Sequence, residues 1–199
     1  NIGVTVDTSW QNDPFGLSAT MSYLYGRMDY LGMWIQRVHY RVKAYLAHER
    51  SFEFWWHQHG DPSGGTDIYT HMNPFYAYDV PHTCGPEPGV CCQFDFPRMS
   101  SSHPYKGCPW GVNPQPITPS NVGERASKLL EQYRKKASLY RTRHLLAPIG
   151  NDFEFMRAEY ADNQFNNYQA IFDHMNSNPR MNVHARFATL HEYFRDVKE

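Results

Sequence analysis

Two aspartates lie where the chain changes direction. Asp13 stands in SWQNDPFG directly before Pro14, and Asp152 stands in PIGNDF directly after an apolar run. Asp-Pro commonly opens a turn, because proline fixes its own φ and pushes the preceding residue away from helical backbone. A turn cap is therefore one interpretation of Asp13. The other is an acid held rigidly at the junction of a strand and a helix.

Two carboxylates with an arginine and aromatic rings suit glycoside hydrolysis. One carboxylate can attack the anomeric carbon or position water, while the other protonates the leaving oxygen. Aromatic rings can stack on sugar faces, although most of the aromatic residues must be core. The residues of suitable type near predicted strand ends are Phe15, Arg37, Tyr78 and Asp79.

The apolar pattern predicts alternating strands and helices. Strands are predicted over 1–6, 31–35, 51–56, 68–78, 145–149 and 183–187. Helices are predicted over 18–28, 40–49, 121–140 and 165–175, with a last one after the capping box formed by Thr189 and Glu192. Such alternation predicts an α/β fold with a mainly parallel sheet. In that architecture the residues that follow each strand share one edge of the sheet.

Composition limits the classes of partner. A formal net charge of −1 argues against nucleic acid or an anionic membrane as the main partner. There is no apolar run of about 18 residues, which a membrane-spanning helix needs. The sequence starts without Met and stops inside a helical pattern. We therefore expect an excerpt of a longer protein, in which any targeting segment or membrane anchor lies outside these residues.

The four cysteines lie close together, at Cys84, Cys91, Cys92 and Cys108. An even number in a Pro- and Gly-rich segment predicts two disulfides in an oxidising compartment, which would staple the Pro-rich loop over 97–120. A zinc cluster is the alternative, but no C-x-x-C pair is present. Cys84–Cys91 with Cys92–Cys108 is the shortest plausible pairing, and Cys84–Cys92 with Cys91–Cys108 remains possible.

The run YTHMNPFYAYDVPHTCGPEPGVCCQFDF, residues 69–96, resembles a known family. Together with SWQNDPFG, IQRVHY, PIGNDF and FNNYQAIFDHMNSNPRMNVHARFATLHEYF, it is similar to the Golgi-type α-mannosidase II group of glycoside hydrolase family 38. The resemblance covers essentially all 199 residues. It implies a zinc-dependent retaining α-mannosidase that trims N-glycans in the Golgi lumen as a type II membrane protein. It also implies that residues 1–199 are part of a seven-stranded α/β-barrel catalytic domain, truncated at both ends.

The resemblance assigns roles to individual residues. The aspartate of the family's DPFG motif is both nucleophile and zinc ligand, and it falls on Asp13. The second aspartate of the family's G-D-D-F motif is the general acid/base, and it falls on Asp152. A retaining mechanism implies a separation of roughly 5–5.5 Å between the two carboxyl groups. The residues implied to line the sugar site are Phe15, Arg37, Tyr78 and Asp79.

Three positions depart from the family pattern. Leu17 stands where the family usually has His, Asn151 where it has Asp, and Asn12 where Ile is common. The family's other zinc ligands fall outside residues 1–199, so we expect this chain alone neither to bind zinc tightly nor to hydrolyse mannosides. The first hypothesis is an α-mannosidase that acts on N-linked, mannose-containing oligosaccharides. The second is a catalytically weak homologue that binds mannose-rich glycans like a lectin.

Overall fold

A computed structural model describes residues 3–198. The chain divides into two compact units, each with its own core. Unit 1 contains the described parts of Asn1–Pro74 and Ala188–Glu199 together with Ala137–Leu146, and unit 2 contains Phe75–Lys136 and Ala147–Phe187. No helix among the described residues is long and apolar enough to cross a membrane.

Unit 1 contains a sheet of four strands in the order β1-β2-β4-β3. The strands are β1 (Thr8–Gln11), β2 (Gly32–Ile35), β3 (Glu53–Trp56) and β4 (Ile68–Met72). The pairs β1–β2 and β2–β4 are parallel, and β2 is buried along its whole length. Gln11 lies opposite Ile35, so β1 and β2 end at the same edge of the sheet. The residues that follow these two strands are thereby brought together.

The prediction of a mainly parallel α/β sheet is confirmed for this part of the chain, with one exception. β3 pairs antiparallel with β4. The connection between them, 57–67, holds no helix, and a parallel return would need a crossover of about a dozen residues or more, usually helical. The described residues form four strands, so the seven-stranded barrel stays a prediction.

The predicted opening strand over 1–6 is misplaced. Residues 1 and 2 lie outside the described part of the chain, and the first strand begins at Thr8, which pairs with Gly32. Val4 and Val6 are both 66% exposed, because no neighbouring strand in the described residues gives them a sheet face to pack on. The strand predicted over 68–78 ends at Met72, directly before Asn73-Pro74. Proline has no N–H to donate to the hydrogen-bond ladder of a sheet, so Pro74 disfavours continuation of the strand.

Two further predicted strands are wrong. Residues 145–149 have no regular structure, and Pro148 gives its carbonyl oxygen to the Thr83 hydroxyl at 2.8 Å instead of to a strand. Residues 183–187 are also irregular. Their alternation arises from packing, because every second side chain contacts the core of unit 2 and the Asn176 amide hydrogen-bonds both backbone groups of Ala185 at 2.8 Å.

Most helices lie where the pattern predicts them. They are α1 (Ala19–Arg27), α2 (Tyr40–His48), α3 (Pro88–Cys91), α4 (Val122–Ala137), α5 (Ala158–Ser177) and α6 (Leu190–Lys198). α4 ends three residues before the predicted Tyr140, whose ring lies in the core of unit 1 instead. The capping box of α6 is confirmed: the Thr189 N–H donates to Glu192 Oε2 at 2.7 Å, and the Glu192 N–H donates to Thr189 Oγ1 at 3.3 Å.

Unit 2 is built from α3, α4 and α5, four short 3₁₀ turns and two disulfides. The 3₁₀ turns are Val80–His82, Cys92–Phe94, Phe96–Met99 and Pro179–Met181. Cys84 bonds to Cys91 and Cys92 to Cys108, with Cα–Cα distances of 5.7 Å and 6.0 Å. The shortest pairing is therefore confirmed, and the alternative pairing and the cysteine zinc cluster are wrong. The second bridge closes a loop around residues 93–107.

Candidate active site

Unit 1 brings together three of the predicted site residues, Asp13, Phe15 and Arg37. The Arg37 Nε donates to Asp13 Oδ1 at 2.7 Å, and Nη2 donates to the same oxygen. The guanidinium carbon lies 4.3 Å from the centroid of the Phe15 ring, which is a cation–π contact. This cluster exists because Asp13 follows β1 and Arg37 follows β2, and these strands end side by side.

The Asp13 carboxylate is held through one oxygen and open at the other. Both guanidinium donors converge on Oδ1, while Oδ2 has no hydrogen bond within residues 3–198. The Asp13 side chain is 46% exposed, so Oδ2 is accessible to a ligand. A carboxylate that is oriented by charge-assisted hydrogen bonds and keeps one open oxygen can act as a nucleophile or a metal ligand.

The residue before Asp13 is anchored to the sheet. The buried Trp34 indole N–H donates to Asn12 Oδ1 at 3.3 Å. The Trp34 ring stacks between Trp10, at 4.9 Å, and His71, at 5.0 Å between centroids. Asn12, which departs from the family pattern, thus satisfies a buried donor and ties the Asp-Pro turn to β2.

The other end of this turn is fixed by a glycine and a leucine. Gly16 adopts φ 120°, a left-handed backbone that favours glycine. Leu17 packs against the core of unit 1. Leu17, at a position where the resemblance leads us to expect histidine, therefore has a packing role in this chain.

Unit 2 brings together Tyr78 and Asp152. The Tyr78 hydroxyl lies 3.2 Å from both carboxylate oxygens of Asp152, and it donates to this group. The Asp152 backbone N–H donates to Asn151 Oδ1 at 2.8 Å, so the asparagine that replaces the family's aspartate is an acceptor in the same turn. Asp152 is exposed.

The Asp79 side chain bonds to a different residue, His82. Its Oδ1 pairs with His82 Nδ1 at 2.6 Å, at the start of the 3₁₀ turn Val80–His82. Tyr78 and Asp79 therefore do not end a strand, which corrects the prediction for 68–78. Their segment is positioned by the 3₁₀ turn and the first disulfide that follows it.

A buried charged cluster in unit 2 was not found from the sequence. The His103 ring lies 3.0 Å from Glu154, with side chains 3% and 4% exposed, and Asp95 pairs with Arg98 next to them. Burial raises the pKa of Asp95 to about 6, against the opposing effect of the Arg98 guanidinium. Asp95 Oδ1 is buried and has no hydrogen-bond partner among the described residues. No periodic pattern marks these residues, because they come from irregular segments.

A second buried network supports the ring stack of unit 1. Glu53 Oε1 lies 2.8 Å from His71 Nδ1, and the Tyr193 hydroxyl donates to the same oxygen. Burial acts to raise the pKa of Glu53, but the hydrogen bonds from His71, Tyr193 and Thr142 and the charge of His71 together outweigh it and keep this pKa below its ordinary value. The network fixes the ring that Trp34 stacks on.

The described residues do not by themselves fit a zinc site. Within residues 3–198 no three His, Cys, Asp or Glu side chains come close enough together to hold a metal ion. Zinc sites in proteins use three or four such ligands. Asp13, with its open Oδ2, can supply one carboxylate ligand.

Each unit thus holds one exposed carboxylate that a neighbouring side chain orients: Asp13 beside Arg37 in unit 1, and Asp152 beside Tyr78 in unit 2. Carboxylates are the catalytic groups that most glycoside hydrolases use. Comparison with known proteins identifies the family: the chain belongs to the glycosyl hydrolases family 38, whose N-terminal domain model matches residues 1–199. The chain is 54% identical over 198 residues to Alpha-mannosidase 2 of Arabidopsis thaliana. It is 52% identical over 194 residues to Alpha-mannosidase 2 of Homo sapiens, and 50% over 198 residues to that of Drosophila melanogaster.

These alignments cover 98–100% of this chain but only 17–18% of each relative. The chain therefore spans about a sixth of the length of the relatives that it matches. Its similarity establishes the family, and the activity of a whole protein of this family is a proposal for this chain.

The raised pKa of Asp95 predicts how the stability of unit 2 depends on pH. In the folded state this carboxyl binds its proton more tightly than in the unfolded state, where the pKa is about 3.8. Its contribution is therefore favourable at low pH and is lost as pH rises through about 6. Relative to Asp95→Asn, the parent should gain about 1.4 kcal/mol of local stability between pH 7.5 and 5.

Hydrogen exchange of peptides from residues 92–110 in full-length protein measures this difference. The ratio of protection in the parent to protection in Asp95→Asn should rise about tenfold between pH 7.5 and 5. Asp162→Asn, which changes an exposed carboxylate on α5, is the control and should give a constant ratio. A constant ratio for Asp95→Asn as well would contradict the assigned pKa.

Proposed function

We propose that the full-length protein is a retaining α-mannosidase that removes mannose from N-linked, mannose-containing oligosaccharides. The observation that carries the proposal is that Asp13 and Asp152 are each exposed and hydrogen-bonded by a neighbouring side chain, in a chain of glycosyl hydrolase family 38. The names of the relatives support α-mannosides as the substrate class. In this proposal the four described strands are part of a seven-stranded barrel.

The two carboxylates take different roles in the proposed reaction. The open oxygen of Asp13 attacks the anomeric carbon, while Asp152 gives a proton to the leaving oxygen and the glycosidic bond breaks. Water then attacks the same carbon, Asp152 accepts the proton of the water, and the bond to Asp13 breaks. Each displacement inverts the anomeric carbon, so the product keeps the configuration of the substrate.

The hydrogen bonds of the two carboxylates support this division. Asp13 receives two donors from a guanidinium, which orients it without occupying Oδ2. Among residues 3–198, the Asp152 side chain receives a hydrogen bond only from the Tyr78 hydroxyl. This neutral group can donate to the carboxylate and can accept a hydrogen bond from the protonated acid. This suits a group that must hold and release a proton in turn.

Four side chains are proposed to bind the sugar. Phe15 is 85% exposed and offers a flat apolar face with the Arg37 guanidinium beside it. Such a face suits stacking against the C–H face of a pyranose. Tyr78 and Asp79 would hydrogen-bond sugar hydroxyls, beside the proposed acid.

Zinc is proposed as the cofactor of the full-length protein. When bound, zinc would act as a Lewis acid and a template for sugar hydroxyls. Asp13 would give one ligand, and the remaining donors must come from outside residues 3–198.

The proposed compartment is the Golgi lumen, reached through the secretory pathway. Two disulfides in unit 2 fit an oxidising environment. Any membrane attachment would use an anchor outside these residues.

Release of free mannose from an N-linked, mannose-rich oligosaccharide tests the activity. The full-length protein should release mannose, and Asp13→Ala or Asp152→Ala should lower the rate by at least about 10³-fold, because each removes a chemical role. Asp162→Ala, an exposed aspartate on α5, is the matched control and should keep the parental rate.

The result also separates the two functional hypotheses. Oligosaccharide binding without any hydrolysis by the unmutated protein would contradict an α-mannosidase and favour a lectin-like homologue. Equal rates for Asp13→Ala and the Asp162→Ala control would contradict the proposed nucleophile while leaving the activity itself intact.

Metal content tests the cofactor. Elemental analysis of the full-length protein should find about one zinc per chain, with loss of zinc and activity on chelation and recovery of both when zinc is restored. Asp13→Ala should weaken zinc retention, while Asp162→Ala should not. A full-length protein that is active and holds no zinc would contradict this part of the proposal.

A further inference from the structure

The turn that carries Asp152 is held by a buried hydrogen bond between two side chains. The Glu154 N–H donates to the Asn151 carbonyl oxygen at 3.2 Å, so residues 151–154 form a tight turn with Asp152 at its second position. The side chain of the last turn residue, Glu154, points into unit 2 and meets His103 Nε2 at 3.0 Å. The exposed acid and the buried glutamate therefore belong to one short, closed segment.

The backbone conformation of this turn costs conformational free energy. Phe153, the third residue, has φ 55°, in the left-handed region that bulky side chains avoid. Its side chain is 83% exposed and so gains little from packing. A conformation of this kind costs on the order of 1–3 kcal/mol and persists only where surrounding contacts hold it. The contact between Glu154 and His103 is buried, and it anchors the residue that directly follows Phe153 in the turn.

The position and the tautomer of His103 are both fixed. The Tyr105 backbone N–H donates to His103 Nδ1 at 3.2 Å, so a neutral ring carries its proton on Nε2 and donates it to Glu154 Oε1. The His103 ring also lies edge-on to Tyr160, at 5.1 Å between centroids, and the neighbouring Ser102 hydroxyl bonds the Tyr160 hydroxyl at 3.0 Å.

The loop that presents His103 is itself closed. The Cys92–Cys108 disulfide encloses it, and the Arg98 guanidinium bonds the carbonyl oxygens of Tyr105 and Gly107 at 3.3 Å. Arg98 also pairs with the buried Asp95. The loop closed by the disulfide thus holds the His103 ring in a fixed position, from which it donates to Glu154.

From this geometry we infer that His103 and Glu154 are positioning residues for Asp152: they lock the 151–154 turn so that its carboxyl group can transfer a proton to the leaving oxygen. The inference deepens the proposed function and rests on Asp152 being the acid. It also gives the stapled loop of unit 2 a role in catalysis, since the loop supplies the donor. Proton transfer depends strongly on placement, so a displaced turn should weaken acid catalysis more than it weakens binding.

Leaving-group dependence of kcat/KM separates positioning of the acid from general damage. Because kcat/KM reports the first, bond-breaking step, an aryl α-mannoside with a very acidic phenol, such as the 2,4-dinitrophenyl compound, needs little protonation of its leaving group. A methyl α-mannoside or a natural oligosaccharide needs it fully. Both substrates bind through the same mannose.

The full-length protein is compared with His103→Leu, which removes the donor. We expect kcat/KM for the methyl mannoside or oligosaccharide to fall about 10–100-fold, with less than about a threefold change for the dinitrophenyl mannoside. His103→Gln places an amide N–H near the position of Nε2 and should recover most of the loss. His184→Leu, an exposed histidine in the same unit, is the matched control and should change neither substrate.

Three outcomes overturn the inference. Equal losses for both substrates in His103→Leu would show a structural role only. No loss for either substrate would show that the hydrogen bond between His103 and Glu154 does not position the acid. If His103→Leu does not fold, Glu154→Leu, which removes the acceptor, takes its place, and unchanged selectivity between the two substrates in that variant would equally contradict the inference.

The proposed function fails in a different way. Asp152→Ala should itself show the strong leaving-group dependence of a missing acid. If it lacks this dependence, Asp152 is not the acid, and the assignment of Asp152 falls whatever the His103 variants show. If Asp152→Ala shows it and the His103 variants do not, only the positioning inference falls.

Discussion

The parallel pairing of β1 with β2 is the constraint on which the unit 1 cluster depends. The register places Gln11 opposite Ile35, and each strand is followed within two residues by a charged side chain, Asp13 or Arg37. Parallel strands present their carboxyl ends at one edge, so the ion pair forms from residues that are distant in sequence. The buried Trp34 strengthens this constraint, because it belongs to β2 and bonds the side chain of Asn12 on the other loop.

Unit 2 orients its carboxylate by a different means. No strand leads into Asp152, and the turn that carries it depends on side-chain contacts instead of a ladder. A hydroxyl from Tyr78 meets its carboxylate, and a buried pair anchors the end of the turn. In unit 1 the sheet holds the backbone in place. In unit 2 the disulfides do so, because they fix irregular backbone that has little regular hydrogen bonding of its own.

The sequence predicts the regular elements well where periodicity is strong. The helices at 18–28 and 40–49 and the capping box of α6 follow from local patterns and are present. The strands at 145–149 and 183–187 are absent, because an apolar or alternating run does not specify a ladder partner. Burial does alternate along residues 183–187, but this single segment of the chain packs against the helical core of unit 2.

The candidate site likewise has features that the sequence predicts and features that it does not. Motif resemblance assigned roles to Asp13 and Asp152, which stay predictions, and the predicted parallel strands put Arg37 and Asp13 on one face of the sheet, where they form an ion pair. Spacing favoured the observed disulfide pairing but left one alternative open. Nothing in the sequence marked His103 and Glu154 as partners, because neither lies in a periodic segment and the contact joins two irregular loops. Nor could the sequence show that Leu17 and Asn151 have structural partners of their own.

The configuration of the product that azide forms in two variants tests the division of roles between Asp13 and Asp152 most directly. Azide is added to the full-length protein with 2,4-dinitrophenyl α-mannoside. In Asp152→Ala the covalent intermediate still forms, so azide should displace Asp13 and give the α-mannosyl azide. In Asp13→Ala azide should attack the substrate itself and give the β-mannosyl azide. β-Mannosyl azide from Asp152→Ala, or α-mannosyl azide from Asp13→Ala, would contradict the assignment of Asp13 as nucleophile and Asp152 as acid/base.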